Sequence, residues 1–600
     1  MTWTRSNHFG NGARLPLRGA FAALLASSVG AGCSGPSDST DPPGSMGSGA
    51  VAGVGSGATG GAAGAAGAAG AAPAGGTGGA VGGTGGSGGS PEAGAANLEP
   101  VIPYKAIHRL SNTEYDNTVR DLLGTDPRLG EAFVAEEAHG FDNIATALSM
   151  SPRQVEDYFA AARTLSASVF ADQTLRARVV ACDPVSDAAC PRATIEAFGR
   201  RAFRRPLETS EVDDLLQRYQ QALDLGVDAF GALQHVVHVV LASPQFLYRI
   251  EFDPNPSDAT PHALSGFELA SRLSYALWSS MPDEPLFTLA ASGGLAEPAT
   301  LAAEVDRMVS DPRSAMLEEN FAAQWFGSKR LSSHASSTTA FPSWSPELAL
   351  SMQREMELYF HEFLHGDLSY ADFLTADINF VDQALATHYG VAPPAEPGFQ
   401  RVMIPGDQRQ GLLGLAGFLT HTSRETRTSP IIRGKWILDA IWCVQLELPT
   451  DIVVEPLPEP AEGEAPTTVR DLMAAHRSSP ACAGCHSSID PIGLALEKFD
   501  GVGRYREVYE NELPIDTVTI MPEGQTVDGL ESLSVVLAQD AQFLPCAASK
   551  FGTYAMGLTL ENTNRDQIVA RWTAGTPTLK ALLKETLSHE MFRMRRAETP

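Results

Sequence analysis

Residues 478–493 read SSPACAGCHSSIDPIG and set Cys482, Cys485 and His486 in the order Cys-x-x-Cys-His. Two thiols three residues apart on a tight helical turn can reach the two vinyl groups on one edge of a haem, while the adjacent imidazole falls under the iron as axial ligand. The same residues admit a plain disulfide, a redox dithiol or half of a zinc site. A zinc site asks for a second ligand pair at comparable spacing, and the other cysteines are isolated. A thioredoxin-like dithiol asks for a βαβ setting, which this sequence lacks. One covalent haem c, or a simple disulfide or redox pair, therefore remain. Candidates for a sixth iron ligand are Met521 in TIMPEG, Met556 in YAMGL and His476 in AAHRSSPACAGCH; each Met would otherwise be core filler. Arg504 and Arg506 follow where they could pair with haem propionates, or with Glu497 or Asp500 as ordinary salt bridges.

A second constellation is YFHEFLHGDLSY, where His361 and His365 fall one helical turn apart with Glu362 between them. On a helix this spacing presents two imidazoles to one metal, and in zinc hydrolases the glutamate is general base on a metal-bound water. Gly366 and Asp367 are expected to stop the helix at once, and His388 in ATHYG is the nearest third ligand; the alternative is a solvated helix end. His235 and His238 in LQHVVHVVL lie amid apolar residues and read as core or interface histidines. Gly411, Gly414 and Gly417 in GLLGLAGF are at close-packing spacing on an expected helix, without the strand-then-turn setting of a dinucleotide loop.

Compartment decides which of these chemistries is available. The chain opens with Arg5, Arg14 and Arg18, then the apolar run GAFAALLASSVGA, then small residues up to Cys33, the order of an export signal and too short for a permanent membrane span. Gly30-Ala31-Gly32-Cys33 resembles a lipobox, whose cysteine is lipidated and becomes the mature N-terminus, although Gly30 stands where an aliphatic residue is usual. From Gly44 to Asn97 the chain is almost wholly Gly, Ala, Ser, Thr and Pro, which cannot bury enough apolar surface to offset the entropy of ordering and so reads as a flexible tether. A formal net charge of −28 argues against a nucleic-acid partner, whose phosphates would be repelled. In an oxidising compartment Cys182 and Cys190 are expected to close a short disulfide loop; by subtraction Cys443 and Cys546 form a second bridge or remain buried free thiols.

Helical periodicity must position these groups. Ser111 and Glu114 form a capping-box pattern before a helix that buries Tyr115, Val119, Leu122 and Leu123 and stops at Gly124; Ser265 and Glu268 repeat the pattern, and Ser151-Pro152 opens another helix. Asp490-Pro491 reads as a further helix start, and REVYENELPIDTVTIMP is the best candidate for a hairpin. The expectation is a mainly α, multi-domain body. Its segments are a signal peptide (1–32), a lipid-anchored disordered linker (33–99), helical domains at 100–172, 192–252 and 262–392, a cytochrome-c-like domain at 408–510 and a C-terminal helical domain at 525–597.

The run CAGCHSSIDPIGLALEKFD, with TRTSPIIRGKWIL and HRSSPACAGCH upstream, closely resembles the planctomycete-type cytochrome-c-like multidomain proteins, also found in myxobacteria. HRLSNTEYDNTVRDLLG, AFGRRAFRRPL, LASPQFLYRIE, ELASRLSYALWSSMPDE, DPRSAMLEENFAAQWFG and KFGTYAMGL resemble signatures of that family's helical domains. The resemblance implies an exported, haem-c-like, oxidoreductase-type protein with Cys482, Cys485 and His486 as haem residues, and implies no substrate. Taken together, the sequence describes a lipid-anchored periplasmic or cell-surface protein using one haem for electron transfer, alone or within an oxidoreductase assembly. Its partner would be a redox protein or a polymeric or small-molecule substrate. A colourless surface binding or scaffold lipoprotein is the alternative, and a zinc hydrolase using His361 and His365 a third.

Overall fold

The computed structural model describes residues 98–104, 107–136, 140–404, 408–446, 467–477 and 480–598, without the side chains of 475, 476 and 480–482. The expected leader, Cys33 and the Gly/Ala tether lie outside the described residues. Local signals set the helix starts. Ser111 accepts from the Glu114 amide at 3.2 Å while Glu114 accepts from the Ser111 amide at 3.0 Å, opening helix Asn112–Leu123, which ends at Gly124 with φ 76°. The same reciprocal box opens Gly266–Trp278 through Ser265 and Glu268, and Ser151 with Pro152 opens Pro152–Ala171. The expected break at 172–192 is partly helical, because Asp172 caps Gln173–Val179 before the Cys182–Cys190 loop.

Strands are two or three residues long and form four antiparallel pairs among the described residues. The hairpin falls later than expected: Val518–Ile520 pairs with Thr526–Asp528, while Val508 only bridges Pro514. His262–Ala263 pairs with Met594–Arg595, so the end of the chain returns to its middle. GLLGLAGF is not one helix: Leu415 is extended (ψ 135°), separating a 3₁₀ turn at Leu412–Gly414 from helix Ala416–His421. Gly411 has φ 57° and lies against the Leu374 carbonyl, a position only glycine fits.

Two large hydrophobic cores and a small third cluster of Met473 and Leu494 form among the described residues. One large core gathers Leu110 to Leu247 with Tyr275, Met281 and Phe287; the other runs from Phe141 to Phe592 through the central, motif-bearing and C-terminal segments. Buried arginines staple the segments. Arg204 donates to the carbonyls of Gln245, Phe246 and Tyr248 at 2.6–2.9 Å. Arg272 forms a bidentate pair with Glu251 at 2.6 and 2.7 Å and donates to the Phe592 carbonyl. Such charges are tolerated inside because their hydrogen bonds are satisfied. Cys182–Cys190 and Cys443–Cys546 are disulfides, the second closing a separation of 103 residues. No helix among the described residues is long and apolar enough to cross a membrane.

Candidate cofactor site around His486

The Cys-x-x-Cys-His residues lie on one helix, Pro480–Leu494. It packs on helix Pro430–Ala440 at glycine contacts: a Cβ on Gly493 would overlap the Pro430 carbonyl, and one on Gly434 would overlap the Ile489 carbonyl. Removing two side chains lets the backbones approach. The fully buried Arg433 guanidinium fixes the chain that follows, donating to the carbonyls of Leu496 (2.9 Å), Phe499 (3.0 Å) and Asp500 (2.8 Å). Glu497 is equally buried, 3.8 Å from Arg433 and 3.6 Å from Arg506, and accepts from Thr428 at 3.0 Å. Burial draws Arg433 down to about 10, still cationic at neutral pH, and pushes Glu497 up, opposed by both arginines.

Within this frame His486 is buried and its Nδ1 lies 2.8 Å from Asp490 Oδ1. Asp490 is fully buried, with Arg477 Nε 3.3 Å from its other oxygen. The expected cap at Asp490-Pro491 is corrected: the helix runs on through Pro491 to Leu494, and the Asp490 carboxylate serves His486 and Arg477 instead of a helix start. An Nδ1–H held by a carboxylate fixes the tautomer in which Nε2 ligates a metal. Cys485 is half-buried and outside any disulfide, and the Cys482 side chain lies outside the described residues. Gly484, between the two cysteines, is exposed, with nothing within 4 Å of a Cβ built there. An open helix face, a thiol not tied in a disulfide and an imidazole oriented through Nδ1 are a donor set that fits a c-type haem.

The further candidates separate. Met521 is buried beside the Val518–Ile520 strand, whose Thr519 hydroxyl donates to the Pro491 carbonyl at 3.0 Å, so this element touches the motif helix. It lines a small cavity with Trp442, Pro522, Gln525 and Val536. Met556 ends helix Phe543–Met556 in the core, and the following Gly557 packs on His108 and Asn143 of the N-terminal segment. The His476 side chain lies outside the described residues. Arg506 pairs with Glu497 and, at 2.6 Å, with Glu510, the salt-bridge alternative; Arg504 is exposed.

Away from this helix, His361 and His365 end helix Pro346–His365, which stops at Gly366. Glu362 lies 3.3 Å from Arg401. His388 is not their third partner, since it is buried with Nε2 2.7 Å from the Val502 carbonyl and drawn down to about 4 by burial. The residue brought to the pair is Glu318, 43 positions upstream of His361, a separation at which spacing along the chain gives no signal. His235 is exposed and His238 partly so.

Comparison with known families follows the segment order. Residues 108–171 match PSD3 (DUF1587), 190–251 match PSD5 (DUF1595), 264–391 match PSD4 (DUF1592) and 409–509 match PSCyt3 (DUF1588), each described as a protein of unknown function. No curated protein and no solved structure matches the chain. A disulfide-bonded helical body carrying a Cys-x-x-Cys-His helix inside a PSCyt3 domain defines the class as cytochrome-c-like multidomain proteins. The chain belongs to the planctomycete-type cytochrome-c-like family.

Proposed function

We propose that this chain is an exported c-type haem protein of the cell envelope that transfers electrons, as a carrier or as the relay of an oxidoreductase assembly. The observation that carries the reading is the His486–Asp490 pair at 2.8 Å on the helix that bears the Cys-x-x-Cys-His motif. Cys482 and Cys485 would hold the haem through thioether bonds and His486 would be its axial ligand. When bound, the group supplies one-electron redox chemistry. Asp490, itself held by Arg477, fixes the imidazole; Arg433 and the paired glycines hold the helix that carries both. Met521 is the sixth-ligand candidate we favour, because it directly follows the Val518–Ile520 strand, whose Thr519 touches the motif helix. Lipid on Cys33 and the tether after it would keep the body near a membrane, and two disulfides support an oxidising compartment. The partner would be a redox protein or an oxidisable substrate.

A potentiometric titration of the full chain, matured in a host competent for c-type attachment, tests this. A reversible one-electron wave is expected, shifted to lower potential in Met521→Leu and unmoved in Met556→Leu. A chain that takes up no electrons contradicts the proposal.

A further inference from the structure

Glu318, His361 and His365 converge at the C-terminal end of helix Pro346–His365. Glu318 sits in a π-turn, Leu317–Ala322, a distortion that often marks a functional position. Its side chain is 4 % exposed, and no lysine or arginine forms an ion pair with it among the described residues; its charge partners are His361 Nδ1 at 2.6 Å and His365 Nε2 at 3.6 Å, both measured to Oε1. The two rings lie 4.3 Å apart, and one donor atom from each of the three residues falls within 4.8 Å of the others. Donors bound at 2.0–2.1 Å to a tetrahedral ion are about 3.4 Å apart, so the observed separations bracket that value. His361, whose side chain is 48 % exposed, has room to make the small adjustment. The helix C-terminus adds a negative field that favours a cation.

We propose that Glu318, His361 and His365 bind one divalent transition-metal ion of the zinc class, separate from the haem segment. Glu318 supplies the buried anionic ligand, His361 Nδ1 and His365 Nε2 the neutral nitrogens. Because the histidine side is open to solvent, the remaining coordination is completed by water, the arrangement of a reactive rather than a closed structural site. Glu362, paired with Arg401, is not a ligand of this ion. A buried carboxylate answered only by its contact with His361 is the competing account of the same geometry.

The test is equilibrium dialysis of the full chain, without an affinity tag, against Zn²⁺, with bound metal counted by elemental analysis and melting followed in parallel. One zinc per chain is expected, with a melting point raised by the metal. His361→Ala and His365→Ala should each weaken binding at least tenfold and abolish the zinc-dependent rise while the metal-free melt stays cooperative. Glu318→Gln, which keeps the side-chain volume, should do the same. Zinc bound equally by wild type and both histidine variants overturns the proposal. So does a wild type that binds no stoichiometric zinc while His361→Ala alone lowers the melting point, which would leave only the ion pair.

Discussion

A carboxylate four residues after an imidazole on one helix can hold that ring in a single tautomer, and Asp490 does this for His486. In the proposed haem site the carboxylate makes the ring a stronger electron donor and stabilises the oxidised state. Asp490→Asn keeps the shape and weakens this donation, so the midpoint potential should rise with haem attachment retained; an unchanged potential would show that Asp490 does not tune the ring. Elsewhere one buried acid responds to pH. Glu355 is fully buried and accepts from Tyr389 at 2.5 Å, and burial raises it from an ordinary 4.5 to about 8. The folded state therefore holds a proton between those values that the unfolded chain releases. This contribution to stability is complete below about pH 4.5 and is lost as pH rises through about 8. Glu355→Gln, neutral throughout, should gain stability relative to wild type across that window, with a slope of at most about 1.4 kcal/mol per pH unit. A difference between the two that does not change with pH contradicts it. At the residue scale the Cys-x-x-Cys-His and His-x-x-x-His spacings are legible in the sequence, because both sit within one helical turn. Glu318 is not, because only tertiary packing carries it to His361. Asp490 is visible in the sequence but points to a different role there, since Asp before Pro is a common helix start; its four-residue spacing from His486 is the signal that matters.

Between elements, the close approach of Pro430–Ala440 and Pro480–Leu494 explains why TRTSPIIRGKWIL accompanies the cysteine motif. Arg433 and Gly434 in that run are the clamp and the contact for the motif helix. Gly493→Ala would drive a methyl into the Pro430 carbonyl and should cost about 1–3 kcal/mol, read as a lowered denaturation midpoint. A neutral result would show that the pair can separate freely. Capping boxes are legible because they are written in four consecutive residues, as at Ser111 and Ser265. The hairpin lies several residues beyond the place its sequence suggests, since its strands are three residues long and give little alternation to read. The apolar residues of GLLGLAGF have helical spacing, yet the segment is broken because Gly411 is fixed by the nearby Leu374 backbone, a contact no local pattern records.

Across the molecule, the disulfides and the return of the last strand to His262 bind distant parts of the sequence. The Cys443–Cys546 bridge closes 103 residues against 8 for Cys182–Cys190. In the chain-entropy model the longer loop contributes about 4–5 kcal/mol and the shorter about 2–3. The Cys443→Ala, Cys546→Ala double variant should therefore melt lower than the Cys182→Ala, Cys190→Ala one; the reverse order would show that unfolded-state entropy does not dominate. The helical class is legible from periodicity. That segments share cores, with Tyr275 and Phe287 contributing to the N-terminal one, is not, because a sequence does not show which apolar faces meet. The central claim is that the Pro480–Leu494 helix carries a covalent haem. Its most direct test is a reduced pyridine-haemochrome spectrum of the denatured full chain from a maturation-competent host, beside a Cys482→Ala, Cys485→Ala variant. A c-type band that survives denaturation in the wild type and is absent from the variant is the predicted result; a colourless wild type would contradict it.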